Sequence, residues 1–109
     1  MGAYLYLALA IAAEVTATIS LKLSDGFSKL GPSILVVVGY AIAFYGLSQV
    51  LKAGLPIGVA YAIWAAAGVA LVAAIGVLFL REPLNLAMVA GLVLVIGGVV
   101  LIELGSAAQ

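Results

Sequence analysis

From Ala3 to Leu21 the chain runs for nineteen residues with a single charged side chain, Glu14. A helix of that length crosses the hydrocarbon core of a bilayer, at 1.5 Å per residue. Three further apolar stretches follow, Ser33–Leu51, Ile57–Leu80 and Leu84–Ile102. They are parted by the short breaks Lys22–Pro32, Lys52–Pro56 and Arg81–Pro83. Of eight charged residues, six lie in these breaks, Glu103 lies just past the fourth stretch, and only Glu14 lies deep. This distribution predicts an all-α integral membrane protein. Its single domain, residues 1–109, would hold four helices at about 3–22, 33–52, 57–80 and 84–104.

Composition excludes the main alternatives. Of 109 residues 68% are hydrophobic and 7% charged, with mean hydropathy +1.44. A soluble domain of this size buries only roughly two-thirds of its unfolded surface, too little to hide so much apolar area. Zero net charge gives no reason to expect a nucleic-acid partner. With no Cys and no His, disulfides, thiol nucleophiles and the commonest metal ligands are missing. No phosphate-cradling GxxxxGK[ST] loop is present, so no cofactor is implied and enzymatic chemistry is not expected. Any work would draw on a gradient. The first segment has no basic stretch before it and is too long for a signal-peptide core, and Tyr6 stands where a myristoylation signal needs Ser or Thr.

Glu14 is the residue that needs explaining. A carboxylate deep in a bilayer costs roughly 2.5–3.5 kcal/mol on insertion scales, and such groups are functional by default. The plainer reading is a protonated acid holding two helices together. Glu14 falls on a stripe of Tyr4, Leu7, Ile11, Thr18 and Leu21. Thr18 is one turn from Glu14 and faces it, unless it bonds its own backbone as membrane Thr often does. Ala10, Ala13 and Ala17 flank the stripe and let another helix approach.

Aromatic residues recur at helical spacing. Tyr40 and Phe44 are one turn apart with Ser48 on the same face, and Tyr61 and Trp64 face together. Tyr4, Tyr6 and Phe79 fit the interfacial belt of a membrane protein; Tyr40, Tyr61 and Trp64 fit it less well. Ring faces around an acid make a host for an organic cation, each worth roughly 0.5–2 kcal/mol; ordinary packing is the alternative. Gly39 and Gly46, and Gly91 and Gly98, are seven apart, which permits close helix contact. Gly68 permits either such contact or a bend.

Lys22, Lys29 and Arg81 fall on one side of the membrane, and Lys52 with the amino terminus on the other. So small a bias gives weak orientation. Two copies in opposite orientations would supply eight helices and two Glu14 side chains. That is an inverted repeat built from identical chains, the architecture expected of alternating-access transporters.

Taken together, these residues resemble the small multidrug resistance transporters over essentially the whole chain. The resemblance rests on Tyr4-x-Tyr6, Ala13-Glu14-Val15, Thr18 and Lys22, on the loop Ser24-Asp25-Gly26-Phe27-Ser28-Lys29-Leu30 with Pro32-Ser33, and on Tyr40 and Phe44. The segment Pro56-Ile57-Gly58-Val59-Ala60-Tyr61-Ala62-Ile63-Trp64 is its most specific part. Gly91, Leu94 and Gly98 resemble the family's dimerisation helix. The resemblance implies an antiparallel homodimer of dual topology in the bacterial inner membrane. It implies a proton-coupled antiporter that exports lipophilic or aromatic cations of the quaternary ammonium type. Glu14 of both chains would bind proton and cation by turns, with Tyr4, Thr18, Tyr40, Phe44, Tyr61 and Trp64 lining or gating the pocket and Gly68 kinking the third helix. Implied partners are protons, a small cation, lipid and a second copy of the chain.

Three positions, Ala65, Ala66 and Ala67, depart from the family pattern. Ala65 stands where Ser or Thr is frequent, which changes the hydrogen bonding open to the acid. Ala66-Ala67-Gly68 keeps one glycine of a richer run, which stiffens the helix. Guanidinium exporters of the same family tend to carry Gly three residues before the acid and Trp three after; here Ile11 and Ala17 favour the multidrug branch, Ala17 leaving room in the pocket. A rotary-ATPase ring subunit also buries one carboxylate, but in a two-helix hairpin. A structural membrane subunit would not need the acid, and a heterodimer subunit of the family would show stronger charge bias.

Overall fold

Each apolar stretch folds into one long helix in the computed structural model, which describes residues 2–108. In order these are α1 (Gly2–Leu23), α2 (Leu30–Lys52), α3 (Ile57–Phe79) and α4 (Leu86–Ala107). Their lengths of 22, 23, 23 and 22 residues correspond to about 33 Å each, matched to a hydrocarbon core of about 30 Å. No strand occurs among the described residues. The chain is an all-α protein with four membrane-spanning helices.

The helix ends differ from the sequence expectation for local reasons. α2 starts at Leu30 and not at Ser33, because Pro32 then sits in the first turn, where no backbone N–H is needed. Ser33 helps to close that turn through its backbone N–H and its hydroxyl, which donate to the Lys29 carbonyl at 3.1 and 2.6 Å. α4 starts at Leu86 and not at residue 84, because the Asn85 side chain caps it by accepting from the Met88 N–H at 2.9 Å. It continues to Ala107, three residues past the expected end. α3 stops at Phe79; beyond it Arg81 takes a left-handed φ of 58°, and the N–H groups of Leu80 and Glu82 both return to the Gly76 carbonyl. The Glu82 side chain covers Gly76, where a β-carbon would collide with its carboxylate.

The chain divides into two compact helix pairs, Met1–Pro56 and Ile57–Gln109. In the first, α2 buries Val36, Gly39, Ala43, Gly46 and Val50, an alternating three–four spacing. α1 answers with Leu7, Ala10 and Ala17, and Glu14 occupies the missing place in that row, partly buried. This is the seam of two antiparallel helices packed at heptad spacing. Glycine makes it tight. A β-carbon on Gly39 would lie 2.8 Å from that of Ala17 and 3.1 Å from the Ala13 carbonyl oxygen; one on Gly46 would lie 3.1 Å from that of Ala10.

The loop joining α1 to α2 is knitted by Ser24, which is fully buried. Its hydroxyl donates to the Leu21 carbonyl at 2.7 Å and accepts from the Phe27 N–H at 3.0 Å. Its own carbonyl accepts from the N–H groups of Ser28 and Lys29. Asp25, Gly26 and Phe27 turn through three successive left-handed conformations, φ 51°, 69° and 67°.

The second pair is looser. α4 has no buried residue, and an open apolar groove of about 230 Å³ runs beside Ala66, Ala67 and Ala70 of α3 and Ile96, Val99 and Val100 of α4.

Candidate functional site

Glu14 is held by its own helix and its neighbour. One turn on, the Thr18 hydroxyl donates to Glu14 Oε1 at 2.8 Å. The same Thr18 oxygen lies 2.6 Å from the phenolic oxygen of Tyr40 on α2. Thr18 therefore does not bond its own backbone; Thr16 does, donating to the Ala12 carbonyl at 2.8 Å. The other carboxyl oxygen, Glu14 Oε2, is buried with no hydrogen-bond partner among the described residues. Oε2 thereby forgoes the hydrogen bonds it would make in water, a cost that no neighbour among the described residues offsets.

The remaining candidates fall into separate places. On the first helix pair Tyr4 and Phe44 are exposed. Leu7 belongs to the buried seam, while Leu21 is exposed, so the predicted stripe is only partly a buried face. Ala17 is fully buried against Gly39 and does not border open space. Its small size serves the helix contact, which corrects the expectation that it widens a pocket. Ser48 donates to the Tyr45 carbonyl at 2.6 Å and is not turned to the acid.

On the second helix pair the Tyr61 and Trp64 rings meet edge to face, centroids 5.7 Å apart and planes at 88°. Trp64 is buried and Tyr61 is 59% exposed. This is a favoured aromatic geometry. Gly68 is buried within α3, which runs unbroken past it. On α4, Leu94 is exposed, and added β-carbons at Gly91 and Gly98 would meet nothing within 4 Å. No group of three His, Cys, Asp or Glu able to hold a metal exists among the described residues.

Comparison with known proteins places the chain in a family. The family model described as Small Multidrug Resistance protein matches residues 2–95. The chain belongs to the small multidrug resistance family. Among its relatives, the quaternary ammonium compound-resistance protein QacE of Escherichia coli is 47% identical over 109 residues, covering 100% of this chain and 98% of the relative. The multidrug resistance protein EbrA of Bacillus licheniformis is 45% identical over 104 residues, covering 95% and 98%. A multidrug transporter of Pseudomonas aeruginosa is 49% identical over 109 residues, covering 100% and 98%. As a small multidrug resistance protein with four apolar spans, the chain is an integral protein of the bacterial plasma (inner) membrane.

The residue missed in the sequence is Gly39 as the partner of Ala17. Its seven-residue spacing from Gly46 signalled close packing but did not identify the facing helix.

Proposed function

We propose that this protein is a proton-coupled antiporter that exports lipophilic or aromatic cations, with Glu14 exchanging proton for cation. The observation that carries the reading is Glu14 itself: the one deep charge of the chain, with one oxygen held by Thr18 and the other buried with no hydrogen-bond partner among the described residues. A carboxyl group so placed binds either a proton or an organic cation, and not both. The relatives named for quaternary ammonium compounds and multidrug resistance support cations of that class as substrates.

The first helix pair by itself offers aromatic faces to a cation from Tyr4, Tyr40 and Phe44, and the second by itself offers those of Tyr61 and Trp64. The functional unit is an antiparallel homodimer that pairs through the open α4 face of Gly91, Leu94 and Gly98, with Gly68 the point at which α3 bends. Exchange of two conformations between the chains turns the access side over, which is alternating access.

The test is Glu14→Gln in proteoliposomes. Glu14→Gln abolishes both proton release on adding a lipophilic cation and cation uptake driven by a pH gradient. A Gln variant that still exchanges proton for cation overturns the assignment.

A further inference from the structure

The two oxygens of Glu14 are in different hands, and hydroxyl chemistry says how. A threonine hydroxyl has one hydrogen to donate and two lone pairs to accept with. Thr18 gives its hydrogen to Glu14 Oε1. At 2.6 Å from the Tyr40 oxygen, Thr18 can then only accept, so the Tyr40 hydroxyl must donate. The direction is Tyr40 to Thr18 to Glu14.

We propose that Tyr40 and Thr18 form a one-way hydrogen-bond relay that makes the two oxygens of Glu14 unequal, Oε1 a permanent acceptor and Oε2 the oxygen that carries the exchangeable proton. Both relay residues act as positioning residues. Only one O–H bond then breaks and re-forms during exchange, that of Oε2; Thr18 and Tyr40 keep their own protons throughout. Oε2 is the oxygen without a hydrogen-bond partner among the described residues, so a proton there removes the buried charge while the Thr18 bond to Oε1 stays in place. A donor chain of two hydroxyls polarises along its length, so the Tyr40 hydroxyl strengthens the bond that Thr18 makes. Tyr40 thus has two separable parts, a ring and a hydroxyl, and only the hydroxyl belongs to the relay.

The inference rests on Glu14 being the coupling acid, but its readout does not need transport. Infrared difference spectra of the full-length protein in lipid, with Glu14→Gln as the subtraction, isolate the Glu14 carboxyl stretch. In Thr18→Val that stretch moves to higher wavenumber, because the C=O of Oε1 loses its donor; Thr18→Ser restores it. Tyr40→Phe moves it less in the same direction, and not at all in a Thr18→Val background. Affinity for tetraphenylphosphonium follows the same cycle: Thr18→Val weakens it about tenfold, as expected for one hydrogen bond to a charged acceptor, and adding Tyr40→Phe costs nothing further.

A carboxyl stretch unchanged by Thr18→Val overturns the relay. So does a Tyr40→Phe effect as large in the Thr18→Val background as in the parent, which would mean that the Tyr40 hydroxyl acts on its own. Tyr40→Phe removes a single oxygen and reads the relay by itself if Thr18→Val does not assemble. Failure of Glu14→Gln to stop exchange would sink the transport reading yet leave these spectra as they are, so the two failures are distinguishable.

Discussion

Two threonines two positions apart on α1 do different things, and the difference is one of facing. Thr16 is exposed and satisfies itself on the Ala12 carbonyl; Thr18 sits beside the seam, where Glu14 and Tyr40 compete successfully for its hydroxyl. Spacing placed Thr18 on the face of Glu14, but the backbone-bonded alternative was equally open until the neighbouring helix was in place. At this scale the aromatic residues make the sharpest test. Trp64 is buried, so its removal would disturb packing as well as binding. Tyr61 is largely exposed and touches Trp64 edge on, which makes it the cleaner probe. Tyr61→Ala is expected to lose about 0.5–2 kcal/mol of affinity for an aromatic cation in calorimetry, with thermal unfolding little changed. Unchanged binding would return both rings to ordinary packing.

At the scale of the helices, glycine has opposite meanings in the two pairs. In the seam of α1 and α2 it allows backbones to touch. Gly39→Ala places a β-carbon 2.8 Å from that of Ala17, too close without a shift of the helices. The expected cost is about 1–3 kcal/mol, read as a lowered midpoint of thermal unfolding in detergent. Gly46→Ala, with nearest approaches of 3.1 and 3.2 Å, is expected to cost less. Gly91→Ala meets nothing within 4 Å and replaces a poor helix former by the best one, so the fold of the isolated chain is expected to hold or gain. If α4 is the pairing face, Gly91→Ala weakens dimerisation in a crosslinking or dilution assay while leaving that fold intact. The same midpoint loss at Gly39 and Gly91 would deny the distinction.

For the whole molecule the open question is orientation. Lys22, Lys29 and Arg81 flank two loops on one side, against Lys52 and the amino terminus on the other. Both orientations are expected in one membrane, because the insertion machinery has so little to read. Adding two Lys after Gly105 should turn all chains one way and reduce transport. Co-expression of a version with Lys added around Ser28 and Arg81 should restore it. Because the chain has no cysteine, single introduced cysteines report orientation without background. Full transport from a population labelled in one orientation would rule out antiparallel assembly.

The residues in order were enough to establish four membrane crossings, the near position of their ends and the one deep acid. Hydrophobic length and the burial cost of charge are properties of a segment, and they add along the chain without reference to any neighbour. Helix ends were legible to within about three residues, and the misses at Leu30 and Leu86 came from a proline placed in a first turn and an asparagine cap. Only the tertiary structure decided that Ala17 lies in a helix contact, that Gly39 is its partner, and that Glu14 has one oxygen held and one with no hydrogen-bond partner among the described residues. Those features depend on the rotation and register of α1 against α2, which bring Tyr40 to Thr18 across 22 residues of chain. Helical periodicity names the residues on a face; it does not say which face of another helix will meet them.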